Sequence, residues 1–232
     1  MLGLTEFEFA ALLLSLKVAV VSVFVCLPFG LGAAWLLARL EFFGKAAIDA
    51  FFYLPLVVPP VVVGYLLLVL FGRSGPLGSW LFDQFGISIA FTWKGAAIAA
   101  AVMAFPLMVR AMRLSLENVD HRLEAAARTL GASRLRVFAT ITLPLMAPGI
   151  LVGIILAFAR ALGEFGATIT FVSNIPGETQ TLPLALYSLA QTPDGETGAM
   201  RLAMISIIVA LIALIISEWL AKRIDLRRGA NK

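Results

Sequence analysis

Between Ala50 and Gly72 the chain carries no charged residue. Four further stretches, Phe9 to Ala38, Gly95 to Met112, Ala147 to Ala167 and Leu202 to Leu220, are nearly as apolar, and a spanning helix needs roughly 20 such residues. A chain built from five runs of this kind cannot hide them in one aqueous core. With 61% hydrophobic and 14% charged residues it lies far from the soluble average of about 25% charged. The reading is an all-α membrane protein of five or six transmembrane helices, with residues 1–232 forming a single membrane domain. That excludes a soluble enzyme, a nucleic-acid-binding module and a disulfide scaffold. The lone Cys26 lies inside the first run and has no partner for an internal bridge. The N-terminus carries Glu6 and Glu8 and no basic segment, so the first run is expected to be a span and not a leader.

The prolines predict where spans bend. Pro28 and Gly30 favour a kink in the first. Pro55, Pro59 and Pro60, with Gly64, forbid an uninterrupted hydrogen-bond ladder in the second, which must be bent. Pro106 lies in the third. Lys17, within two turns of the outer end of the first span, is expected to snorkel toward the headgroups. Gly149 and Gly153 form a small-xxx-small pair suited to close helix packing.

Basic residues collect after the first, third and fifth runs: Arg39 and Lys45; Arg110, Arg113, Arg122, Arg128, Arg134 and Arg136; and the tail Lys222, Arg223, Arg227, Arg228 and Lys232. The segment 166–200 has no lysine or arginine but carries Glu178, Asp194 and Glu196. The positive-inside rule then puts the N-terminus outside and the C-terminus in the cytoplasm. Within the outer segment, Thr181 to Gln191 is apolar but too short to span. We expect an interfacial helix there, with a re-entrant cap as the alternative.

The cytoplasmic stretch 116–144 differs from its surroundings. Glu124 to Leu130 is alanine-rich, and Glu124 with Arg128 makes an i,i+4 pair in the favourable order. Gly131 permits a reversal, Ser133 can cap a second helix, and Leu143 with Pro144 is expected to end it. The result is an elbow, with the small Ala126 and Ala127 on one arm, suited to a groove on another protein. A push on that partner would tilt the third and fourth spans.

These residues resemble the EAA motif of the binding-protein-dependent ABC importer permeases, in which Glu-Ala-Ala, a glycine and Ile-x-Leu-Pro follow at fixed spacing. Ala126, Ala127, Gly131, Ile141, Leu143 and Pro144 match. The motif's glutamate falls on Ala125, and the acidic residue stands one position earlier, at Glu124. The resemblance extends to Leu54–Leu68, Phe91–Arg113 and Ala159–Tyr187. The stretches Gly163-Glu164-Phe165-Gly166 and Asn174 to Thr179 resemble the oxyanion branch of the family, molybdate importers above sulfate importers. What the resemblance implies is a type I ABC importer fold in a bacterial inner membrane. It implies a homodimer enclosing one pathway, a separate ATP-binding subunit that docks on Glu124, Ala126, Ala127, Gly131, Ile141, Leu143 and Pro144, and a periplasmic molybdate-binding protein.

The residues agree with a division of labour. No Gly-x-x-x-x-Gly-Lys-Ser/Thr loop occurs, so ATP and its magnesium would belong to the partner. The chain is expected to hold no cofactor, catalytic residue or metal of its own. The single histidine, His121, and the absence of HExxH speak against a membrane enzyme. Arg160 and Glu164 are one turn apart in the fourth span. As pathway candidates, Arg160 would face a passing dianion and Glu164 would orient it; as a structural pair they would neutralise each other. The rival readings are a sulfate, tungstate or other anion permease of the same superfamily, and an ion-driven secondary transporter. The latter would normally show inverted repeats or an acidic relay, and neither is visible.

Overall fold

The computed structural model describes residues 5–229, with the side chains of residues 217, 218 and 220–229 outside the description. The basic tail used above for orientation therefore lies beyond the described side chains. The described chain is helical throughout, and five spans result when one sharply bent pair is counted once.

Helix α1 (Glu6–Arg39) starts on a capping box in which the Thr5 amide donates to Glu8 Oε2 (2.8 Å) and the Glu8 amide donates to Thr5 Oγ1 (3.3 Å). It runs as one continuous helix through Pro28 and Gly30. It packs against α5 (Trp93–Glu117). Ser22 Oγ donates to Ala97 O (2.8 Å) and Cys26 Sγ donates to Ala101 O (3.0 Å), both across an offset of 75 residues. A constant offset means two parallel helices in register. The buried Ala96, Ala97, Ala99, Ala100, Ala101 and Ala104 let α1 approach the α5 backbone this closely. A Cβ on Gly30 would stand 3.0 Å from Met108 Sδ.

The proline-rich second run breaks as expected. Helices α2 (Lys45–Val57) and α3 (Pro60–Phe71) meet at 112°, with Pro60 opening α3 where its missing N–H leaves no intrahelical bond unmade. A short helix the sequence did not announce, α4 (Pro76–Phe85), follows and packs on α3.

Helices α6 (His121–Thr129) and α7 (Arg134–Val137) lead through a π-helical turn, Phe138–Thr142, into α8 (Leu143–Leu162). From Arg134 to Leu162 this forms one continuous span of 29 residues. Leu143 and Pro144 thus do not end the second arm of the elbow; they begin α8. A proline inside a helix clashes with the carbonyl four residues back, and the wider turn just ahead of it, with Leu143 N bonded to Phe138 O, makes room without a break. Helix α8 lies antiparallel to α5. A Cβ on Gly149 would fall 2.1 Å from Ser115 Cβ, and one on Gly153 would fall 3.1 Å from Met108 O, so the small-xxx-small pair does permit the contact.

The fourth span was read as continuing to Ala167, but α8 ends at Gly163 and a short α9 (Gly166–Val172) follows, packed along α3 with Gly64 against Ala167. Helix α10 (Leu182–Ala190) forms on the short apolar segment 181–191. Leu182, Leu184 and Ala185 are buried, the Leu182 amide donates to Ser15 Oγ on α1 (2.6 Å), and the helix packs between α1 and α11 (Glu196–Gly229). Arg201 on α11 meets the buried Glu8 of α1 at 3.0 Å, closing the same corner. Lys17 is exposed, and its Nζ lies 3.6 Å from the centre of the Trp93 ring, where the π face offers partial compensation for the charge.

Candidate functional site: the helical elbow

Helix α6 opens on Asp120, whose side chain accepts from the Arg122 amide (2.8 Å). It closes in a Schellman arrangement: Gly131 N donates to Arg128 O (3.0 Å) and Ala132 N to Ala127 O (3.1 Å), with Gly131 at φ +86°. Ser133 then caps α7 by accepting from the Arg136 amide (3.3 Å). The elbow is therefore fixed at both ends by local bonds of the kind the sequence suggested.

The tip of the elbow faces outward. Leu130 is 88% exposed and Leu135 78%, and Ala125, Ala126 and Gly131 are exposed beside them. Around this apolar tip stand the exposed Arg122, Arg128, Arg134 and Arg136. No residue of α6 is buried. Ala127 is half-buried at the root of the arm. Ile141, in the π-turn, and Leu143 are half-buried, while Pro144 is exposed. The motif thus separates into a tip, Ala126 to Gly131, and a stem, Ile141 to Pro144, at the foot of α8.

Glu124 belongs to neither surface. Its Oε1 accepts from Arg39 Nη2 at the end of α1 (2.9 Å) and from the buried Thr142 Oγ1 in the π-turn (2.6 Å). The two charged side chains are only 9% and 15% exposed. The Arg39 guanidinium also lies against the His121 ring. The expected pairing of Glu124 with Arg128 is not formed by the carboxylate; Arg128 Nε donates instead to the Glu124 backbone carbonyl (3.3 Å). Sequence reasoning used Arg39 only for orientation and passed over Thr142 and Leu130. A basic residue in the last turn of α1, where it complements the helix dipole, was the available signal for Arg39. A cleft of about 220 Å³ opens beside this cluster, lined by Trp35, Arg39, Glu124, Arg128 and Arg134.

Arg160 and Glu164 stand together at the α8–α9 break. Arg160 Nη1 is 2.5 Å from Glu164 Oε2, and Glu164 Oε1 accepts from the Ala167 amide (2.8 Å), so the carboxylate caps α9. The Glu164 side chain is 2% exposed and that of Arg160 26%. Among the described residues no three His, Cys, Asp or Glu side chains are grouped to hold a metal ion.

A sequence model of the family described as "Binding-protein-dependent transport system inner membrane component" matches residues 27–226. The chain is 66% identical over 219 residues to the Escherichia coli K12 "Molybdenum transport system permease protein ModB", covering 94% of this chain and 96% of that one. It is 60% identical to the Haemophilus influenzae protein of the same name, over 96% and 97%. Its fold is similar to that of a chain in the crystal structure of a bacterial ABC transporter involved in the import of alginate, with a TM-score of 0.73 at 17% identity, covering 95% of this chain and 80% of the other.

Proposed function

Because the chain belongs to the family of binding-protein-dependent transport system inner membrane components and has the type I ABC importer fold, we propose that it is the membrane-spanning subunit of an ATP-driven molybdate importer. In this reading it sits in a bacterial inner membrane with its N-terminus outside and its C-terminus in the cytoplasm. It carries no catalytic residue. A separate ATP-binding subunit hydrolyses ATP, and a periplasmic binding protein delivers the oxyanion.

The observation that carries this reading is the elbow: an apolar, arginine-ringed tip that no described residue covers, joined without interruption through α7 and the π-turn to α8. A rigid-body push on the tip is delivered to the foot of a span. In this reading Ala126, Ala127 and Gly131 enter the ATPase groove, and Ile141, Leu143 and Pro144 pass the displacement on.

Two copies are proposed because the larger clefts of one chain cannot carry a dianion. A cleft of about 480 Å³ between α1, α2, α3 and α5 is lined by Val25, Phe29, Phe51, Pro55, Leu66 and Phe105, and one of about 400 Å³ between α1, α8 and α11 is equally apolar. Moving an unpaired anion into such surroundings costs far more than binding can return. The pathway is therefore placed between protomers. The Arg160–Glu164 pair, at a break between helices and with Arg160 part-exposed, is retained as its charged element.

The test is purification of the chain with its ATPase, reconstitution in proteoliposomes and addition of the binding protein. ATP hydrolysis stimulated by molybdate, with uptake of the anion, is the expected result. Uptake by this chain alone would overturn the reading, and equal stimulation by sulfate would move it to the wider oxyanion class.

A further inference from the structure

We infer that Glu124 works inside the permease as a positioning residue: with Arg39 and Thr142 it latches α6 to the end of α1 and the foot of α8, so that a displaced elbow moves both spans together. The inference rests on the transporter reading above and adds to it how motion leaves the elbow.

Helix α6 has no fully buried residue, and among its apolar side chains only Ala127 is half-buried, so apolar packing contributes little to holding it to the membrane domain. Its backbone joins α5 through residues 118–120 and α7 through residues 130–133, and both joints are short turns. Among the described α6 side chains, only His121 and Glu124 have polar contacts to another helix or to the π-turn, and both converge on Arg39. Glu124 Oε1 is shared by two donors from two different elements, at 2.9 Å and 2.6 Å. A part-buried carboxylate with a guanidinium and a hydroxyl is a directional, short-range tie, and removal of one member leaves the other charge poorly solvated. The π-turn has a role in this geometry: it stands where Thr142 is buried and reaches the carboxylate. Because the carboxylate is committed inward, it is not offered to the ATPase.

Two measurements on the full chain separate the latch from the transport reading. The first needs no partner. Trypsin cleavage at Arg122 and Arg128 in the purified permease should become about tenfold faster in Arg39→Gln and Glu124→Gln, because a helix held by one tie opens locally when the tie is cut. The second uses the complex with its ATPase in proteoliposomes, with molybdate and the binding protein. There Arg39→Gln and Glu124→Gln should still co-purify with the ATPase and hydrolyse ATP, while anion taken up per ATP falls about tenfold. The milder Thr142→Val should show a smaller fall in the same direction. The charge exchange Arg39→Glu with Glu124→Arg should restore much of the ratio, which a merely structural defect would not allow. Wild-type cleavage rates in Arg39→Gln, or an unchanged uptake-to-ATP ratio, would overturn the latch. So would loss of ATPase binding in Glu124→Gln alone, since that would make Glu124 an outward contact. If the wild-type complex showed no ATP-coupled uptake, the transporter reading would fall and the cleavage rates would still decide the latch.

Discussion

Helices α5 and α6 are both rich in alanine and use it in opposite ways. In α5, Ala96, Ala97, Ala99, Ala100, Ala101 and Ala104 are buried, and their small size brings the α1 side chains within hydrogen-bond reach of the α5 carbonyls. In α6, Ala125 and Ala126 are exposed, and none of the described residues covers them. The same residue type therefore marks a filled interface in one helix and an open one in the other. What distinguishes them in the sequence is the company they keep: α5 interleaves alanine with valine, methionine and leucine, and α6 with glutamate and arginine. A small-residue face with polar neighbours is the one left for a partner.

The same substitution made in both helices gives the largest contrast. Ala100→Leu adds volume to a fully enclosed position. Overpacking of this kind costs roughly 1–3 kcal/mol or more, so the yield of folded, detergent-stable protein should fall steeply, as read by size-exclusion profile and thermal midpoint. Ala126→Leu should leave the midpoint within about 0.5 kcal/mol of wild type, since exposed sites away from special features tolerate change, yet it should weaken co-purification with the ATPase. If Ala126→Leu unfolded the chain, or Ala100→Leu did not, the contrast between the two helices would be wrong.

Gly131→Asp sharpens the same contrast with a smaller effect on the fold than Ala100→Leu. No atom lies within 4 Å of a Cβ built at Gly131, so the substitution meets no neighbour in the chain. The φ of +86° is the only internal cost, about 1 kcal/mol, and aspartate tolerates left-handed backbone better than most residues. Insertion and thermal midpoint should therefore change little while anion uptake is lost, because the charge is placed at the apolar tip beside Leu130. Normal uptake in this variant would detach the elbow from coupling.

The spans and the break at Pro59 and Pro60 were legible because hydropathy and the missing proline N–H act locally. The turn at Gly131 and the cap at Ser133 were legible for the same reason. What the sequence did not reveal depends on helices distant in the chain. Pro144 opens α8 because a π-turn absorbs its ring. Glu124 reaches Arg39 in preference to Arg128, and no window on α6 contains Arg39. The apolar segment at Leu182 carried no sign that Ser15 and Leu202 would bury it.

The smallest effect concerns the N-terminal end of α5, where the exposed Lys17 of α1 lies on Trp93. The contact continues the register set by Ser22 with Ala97 and Cys26 with Ala101, so the cation marks the N-terminal end of the α1–α5 seam. A cation over an indole contributes about 0.5–1 kcal/mol at a part-exposed site and more when desolvated. Lys17→Met should therefore lower the thermal midpoint by roughly 1–4 °C, with no change in uptake per ATP. The discriminating measurement is the double-mutant cycle with Trp93→Leu. If the lysine acts through the ring, the two losses should be less than additive, whereas a lysine that merely hydrates the interface would lose the same amount with or without Trp93. Full additivity would place the seam's last polar contact at Ser22 and leave the N-terminal turns of α1 held by Ser15 with Leu182 and by Glu8 with Arg201.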